Sequence, residues 1–227
     1  PVWFDTDPPP DTFLSSATPV ITLGVIDSMS GVDTTTFAVR VNGTDYTGSD
    51  AGISYTTPYF TLDLGTMGFS FNDGDTVKFC FDSVADYALY CGKNYLYPDS
   101  CFNYYIDLSG PVAQLVFPDS GAFFGCHSGT LMITIIDNFA VDTTSIRLSV
   151  DGITYSLSHS ELWFSGDTLY FTPSTPFEHG DTIVIQLTNA DDLAGNSLTS
   201  GGPWNIIIDI EGPEITSIVP PSGSFLI

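Results

Sequence analysis

The 227 residues exceed the roughly 100 of one β-sandwich and suit two domains of common size. Twenty-seven Asp and Glu face only Arg40, Lys78, Lys93 and Arg147, for a formal charge of −23. Four scattered cations cannot form the basic stripe that displaces counterions from a phosphate backbone, which excludes nucleic acid and disfavours anionic membrane surfaces; no uninterrupted apolar run of about 18 residues is present to insert into a bilayer.

In chain order, Val2-Trp3-Phe4-Asp5 reads as the tail of a preceding repeat's closing strand, with Asp7-Pro8-Pro9-Pro10 as its linker, so that residues 1–13 stand outside the first complete repeat. Residues 14–109 then form one repeat. Ile26-Asp27-Ser28-Met29-Ser30-Gly31-Val32-Asp33 is a loop leading into a strand in which Phe37, Val39 and Val41 alternate with Ala38, Arg40 and Asn42. That period of two marks a half-buried strand. Asn42-Gly43 ends it as a type I′ turn, whose central residues need positive φ. Asn42-Gly43-Thr44 also fits the N-glycosylation pattern, but the turn accounts for it. Phe71-Asn72-Asp73-Gly74-Asp75 turns the chain into a strand with Val77, Phe79 and Phe81 on its core face, and Phe102, Tyr104 and Ile106 close the repeat.

The same text returns about 110 residues later. Ile136-Asp137-Asn138-Phe139-Ala140-Val141-Asp142 matches the first loop, Ile146, Leu148 and Val150 the alternating strand, and Asp151-Gly152 the hairpin. Phe177-Glu178-His179-Gly180-Asp181 matches the second turn, and Trp204, Ile206 and Ile208 the closing strand. Gly110-Pro111 and Gly212-Pro213 are hinges, so the second repeat is 110–212 and residues 213–227 begin a third. The chain reads as an excerpt from a longer array. It shows no helical period, and Gly and Pro punctuate it at sandwich spacing. The fold class expected is all-β, as two tandem immunoglobulin-like β-sandwich domains.

Cys80, Cys91, Cys101 and Cys126 lack the CxxC spacing of zinc ribbons and thioredoxin-like sites. Disulfide bonding in an oxidising compartment is the better reading, which places the chain outside the cell. Cys91–Cys101 is the first choice because it closes a long loop, and Cys80–Cys101 the alternative; Cys126 has no evident partner in its own repeat.

These motifs resemble the bacterial immunoglobulin-like repeats of large surface proteins and adhesins. The resemblance rests on the Asp-rich loop ending in Val-Asp, the Asn/Asp-Gly-x-x-Tyr hairpin at Tyr46 and Tyr155, the Phe-x-x-Gly-Asp-Thr turn, and Asp191-Asp192-Leu193-Ala194-Gly195-Asn196 before the last strand. It implies spacers, binders or appendages of enzymes rather than a catalyst. The expectation is a non-enzymatic extracellular structural or adhesive protein of a stalk, filament or surface layer. The alternatives are a module binding glycan or surface protein and an appendage of a secreted hydrolase. The partners expected are other repeats or subunits of the same protein.

Two regions carry chemistry. In a sandwich of this kind the linker and two loops gather at one end. That would bring Asp107 together with Asp137, Asp142, Asp191, Asp192 and Asn196 in the second repeat. In the first it would gather Asp27, Asp33 and Asp86, with Asp5 and Asp7. Calcium takes six to eight oxygens and suits such loops, so one ion per junction is expected; turn-forming Asp and Asn hydrogen-bonding their own backbone is the alternative. The second region runs from Tyr87 to Tyr105. There Tyr87, Tyr90, Tyr95 and Tyr97 form a candidate contact surface of low entropic cost, unless the rings merely cover the end of the sandwich. His127, His159 and His179 lie in no nucleophile context, and Trp163 and Trp204 are expected in the core.

Overall fold

The structure, a computed structural model, describes residues 1–217, so most of the expected third-repeat start, including Val219–Gly223, lies outside the described residues. The chain divides into two compact units. The first comprises Pro1–Pro111 with the segments Asp137–Asp142 and Asp191–Thr199, and the second the remainder.

The strands of the first unit are β1 (Val2–Asp7), β2 (Phe13–Leu14), β3 (Val20–Ile26), β4 (Val32–Val41), β5 (Thr44–Thr47), β6 (Ile53–Thr56), β7 (Tyr59–Asp63), β8 (Thr76–Asp86), β9 (Tyr95–Leu96) and β10 (Ser100–Ile106). They form one sheet in the order β1-β3-β7-β6 and a second in the order β2-β10-β8-β4-β5, with β9 added to β8. Every pairing is antiparallel except that of β2 with β10. This is an immunoglobulin strand order, with the first strand divided between the two sheets. The division falls at Pro8-Pro9-Pro10, which have no N–H to continue a ladder.

Alternation decides which face each strand buries. Phe37, Val39 and Val41 of β4 and Val77, Phe79 and Phe81 of β8 point inward with Phe60 and Leu62 of β7. Phe37 stacks on Phe60 from the opposite sheet at 3.8 Å between ring centroids. Each such side chain contributes roughly 1.5–3 kcal/mol by leaving water. Tyr104 is fully buried and donates its hydroxyl to the carbonyl of Pro8 at 2.9 Å, tying the closing strand to the point where β1 passes into β2.

The second unit contains β11 (Val112–Phe117), β12 (Phe123–Phe124), β13 (Leu131–Ile136), β14 (Arg147–Val150), β15 (Ile153–Tyr155), β16 (Leu162–Ser165), β17 (Thr168–Phe171), β18 (Thr182–Asn189) and β19 (Trp204–Ile208), with a short 3₁₀ turn at Thr143–Ser145. Its sheets run β11-β13-β17-β16 and β12-β19-β18-β14-β15, the order of the first unit strand for strand. Aliphatic side chains fill the matching core positions: Ile146 just before β14, Leu148 and Val150 on it, and Ile183, Ile185 and Leu187 on β18. Both hairpins have the expected turn, with φ of 49° and 84° at Asn42-Gly43 and 50° and 81° at Asp151-Gly152.

Three expectations are corrected. Val2–Asp5 is not the tail of a preceding repeat: β1 pairs along β3 from Val2 opposite Ile26 to Asp7 opposite Thr22. Its Trp3 packs edge-on against Phe81, and its Phe4 lies over Gly24, where a Cβ would come within 2.6 Å of the ring. The disulfide joins Cys80 to Cys101, which stand directly opposite on β8 and β10, while Cys91 is a free thiol on the exposed loop, as is Cys126 in the second unit. Cross-strand adjacency supplies the geometry that a disulfide requires. Trp163 is 44% exposed because the alternation in β16 turns Leu162 and Phe164 inward instead; it stacks on Tyr170 at 5.3 Å.

Candidate functional site

Within the first unit, three carboxylates meet at the ends of separate segments. Asp107 follows β10 and is fixed by its backbone N–H, which donates to Leu14 at 3.0 Å. Asp137 begins the loop after β13, and its Oδ1 accepts the N–H of Phe139 at 3.1 Å. Asp192 is held by Asn196, whose backbone N–H and Nδ2 reach Oδ1 and Oδ2 at 2.8 and 2.7 Å. The Nδ2 of Asn196 also donates to the carbonyl of Asp107 at 2.8 Å. One oxygen from each of the three acids lies within 4.8 Å of the others, the only such group among the described residues.

Asp107 and Asp192 are buried, at 1% and 3% exposure. Both carboxylate oxygens of Asp107, and Oδ2 of Asp137, are shut away from solvent with no hydrogen-bond partner. Burial pushes Asp107 up to about 6, helped by the negative charges of Asp137, Asp192 and Asp73. Asp137 is likewise raised, chiefly by burial. Asp73 borders the group and is held low by the N–H of Leu108, with Ser109 and Asn138 as further donors.

The remaining candidate acids are engaged differently. Asp27 collects the N–H groups of Met29, Ser30 and Gly31 on one oxygen and pairs with the amino group of Pro1 through the other. Asp33 accepts from the backbone and hydroxyl of Thr35 and forms an ion pair with Lys93. Burial works to raise Asp33, but the Lys93 ammonium and Thr35 outweigh it and hold it low. Asp86 is clasped by Asn94 and lowered to about 2, the side chain of Asn94 being the main cause. In the second repeat the N–H of Asp142 donates to the carbonyl of Asp191 at 2.8 Å, and neither residue enters the carboxylate triad. Asp5 turns back on the N–H of Thr6, and the carbonyl of Asp7 accepts from Thr22.

Two participants escape sequence reading. Asn94 occupies the place of Asn196, but the Tyr-rich insertion stretches its distance from the partner Asp from four residues to eight. Asp73 sits in the repeated turn where the second repeat has His179, so comparison of the repeats hides it.

The aromatic loop separates into two sets. Tyr87, Tyr95 and Tyr97 are 50%, 48% and 68% exposed, and Tyr90 fully so. Tyr95 stacks on Tyr97 at 5.3 Å, and β9 anchors the pair to β8. Phe102 and Tyr104 instead belong to the core, and Tyr105 rests on Phe13.

No family model matches the chain, and no curated protein matches it either. Among solved structures it is similar to the fibronectin(III)-like modules of Clostridium thermocellum CbhA at 11% identity, covering 94% of this chain and 99% of that one with a TM-score of 0.40. It is similar to the I67–I69 I-band fragment of titin at 9% identity, covering 90% and 65% with a TM-score of 0.47. Tandem immunoglobulin repeats of Dlar are similar at 11% identity, covering 90% and 97% with a TM-score of 0.26. The chain is all-β and carries two tandem immunoglobulin-like sandwiches.

Proposed function

We propose that the chain is a non-enzymatic extracellular element of structural or adhesive character, part of a stalk, filament or surface layer. The observation that carries this reading is repetition: one strand order is built twice in one chain, around an aromatic core and then an aliphatic one. Repeated modules set length and spacing, which a single binding site does not require. The Cys80–Cys101 disulfide supports an oxidising compartment. The charge of −23 supports solubility at high local density, since like charge keeps neighbouring chains apart. Antibody labelling of intact native cells, with electron microscopy of the purified chain, tests the reading. Surface label together with ordered assemblies or adhesion to a coated surface is expected; retention inside the cell would overturn it.

A second reading has its own support. Tyr95 and Tyr97 stack on each other while remaining 48% and 68% exposed, which presents rigid aromatic area to solvent on a loop that the second repeat lacks. On this reading the first repeat recognises a glycan or a surface protein. Tyr95→Ser with Tyr97→Ser should abolish glycan-array or cell-surface binding and leave the melting temperature within a degree or two. Undiminished binding by the double variant would sink it.

A further inference from the structure

The geometry points to a single calcium-class cation site made by Asp107, Asp137 and Asp192 in the first unit. Three observations converge on it. One oxygen from each residue lies within 4.8 Å of the others, close enough to share one ion. Asp107 is 1% exposed and leaves both of its oxygens without any partner, and Oδ2 of Asp137 is orphaned beside it. Such a group costs several kcal/mol unless something positive sits against it. None of the ion pairs formed by Lys, Arg, His or the amino terminus among the described residues involves any of the three acids.

The donors are all carboxylate oxygens, without the imidazole or thiolate that would favour zinc or copper, so a hard cation is selected. Bidentate contact from one or two of the three would supply about four or five of the roughly six to eight oxygens calcium accepts, and water the rest. Asn196 positions the group and is not itself a ligand: its Nδ2 is already committed to Asp192 and to the carbonyl of Asp107.

The matched loops of the first repeat do not repeat the arrangement. Asp86 is clasped by Asn94 just as Asp192 is by Asn196, but its neighbours differ: Asp27 takes three backbone N–H groups and an amino group, and Asp33 is neutralised by Lys93, so neither has the orphaned oxygens of Asp107 and Asp137. A lysine and local donors do in that loop what an ion does at the triad. One site among the described residues follows, in place of one per repeat.

Calcium titration of the full chain by calorimetry tests this, alongside thermal melts in calcium and in chelator. The expected result is one site per chain, a higher melting temperature in calcium, and loss of that gain on chelation. Asp107→Asn and Asp137→Asn should each weaken calcium binding tenfold or more. In chelator, Asp107→Asn should melt no lower than the parent, because the amide removes an orphaned charge. Asp27→Asn should leave stoichiometry and affinity unchanged. Absence of calcium heat in the parent overturns the site. So does binding that survives Asp107→Asn undiminished, which would place the ion elsewhere on the acidic surface.

Discussion

Asn94 donates its backbone N–H to Oδ1 of Asp86 at 2.9 Å and its Nδ2 to Oδ2 at 2.6 Å, the pattern that joins Asn196 to Asp192 at 2.8 and 2.7 Å. In each pair the Asp N–H returns a bond to the Asn carbonyl, at 3.1 Å from Asp86 and 3.0 Å from Asp192. The clasp closes the loop before the last strand whether that loop is short or carries an insertion. It therefore belongs to the repeat's architecture and not to its decoration.

Removing the clasp should be costly where the acid is buried. Asn196→Ala strips Asp192 of its charge-assisted bond from the side-chain amide and the Asp107 carbonyl of another. The backbone bond can persist, so a loss of about 1.5–3 kcal/mol is expected. Urea denaturation of parent and variant at neutral pH reads it directly. A change under 0.5 kcal/mol would show that water replaces the amide without penalty.

Acid should release the matching clasp in the first repeat. The carboxyl of Asp86 is held at about 2 against an ordinary 3.8, so it is depressed in the folded chain. A depressed carboxylate stabilises above its unfolded pKa, and that contribution fades as pH falls through the folded one. The window is thus about pH 4 down to about 2. Melting temperatures of parent and Asn94→Ala should differ most above pH 4 and converge toward pH 2. Parallel curves across that range would mean that Asn94 does not set the acidity of Asp86.

Much of this fold was legible in the sequence, for a physical reason. A half-buried strand must alternate, and a I′ turn must carry residues that accept positive φ, so Phe37–Val41 with Asn42-Gly43 could be read directly. Val2–Asp5 misled because a short apolar run before a proline stretch fits a first strand as well as a last one. Only its partner, β3, distinguishes them. At the site, the gathering of Asp107, Asp137 and Asp192 followed from loop topology. Which acids are orphaned did not, because that depends on where Lys93, Asn94 and individual backbone N–H groups point.

The cysteines offer a sharp chemical check. Peptide mapping without reduction should find Cys80 bonded to Cys101, with Cys91 and Cys126 alkylated by an added reagent in the native chain, since both are exposed. A separation of 21 residues corresponds to about 3 kcal/mol of chain-entropy stabilisation. Cys80→Ser with Cys101→Ser should lower stability by roughly that amount, whereas Cys91→Ser should change it by less than about 0.5 kcal/mol. A Cys91–Cys101 peptide would reverse the assignment.

The place of β1 can be tested through Phe4 and Gly24. The Phe4 ring lies where a side chain at position 24 would project, its Cζ 2.6 Å from an added Cβ, and leans toward Tyr59 at 5.9 Å. Gly24 pairs with Asp5 on one side and Tyr59 on the other, so it is an interior strand glycine whose bare backbone the ring covers. Glycine in a strand is intrinsically unfavourable, and a covering aromatic restores what the missing side chain loses. Gly24→Ala in the parent should therefore displace Phe4 and destabilise by about 1 kcal/mol, an overpacking cost. In a Phe4→Ala background the same change meets open space and should stabilise by about 0.5 kcal/mol, because alanine narrows the unfolded ensemble. A double-mutant cycle reads the change of sign as a coupling of about 1.5 kcal/mol. Additive effects would mean that Phe4 does not rest on β3, and would return Val2–Asp5 to a strand outside this sandwich.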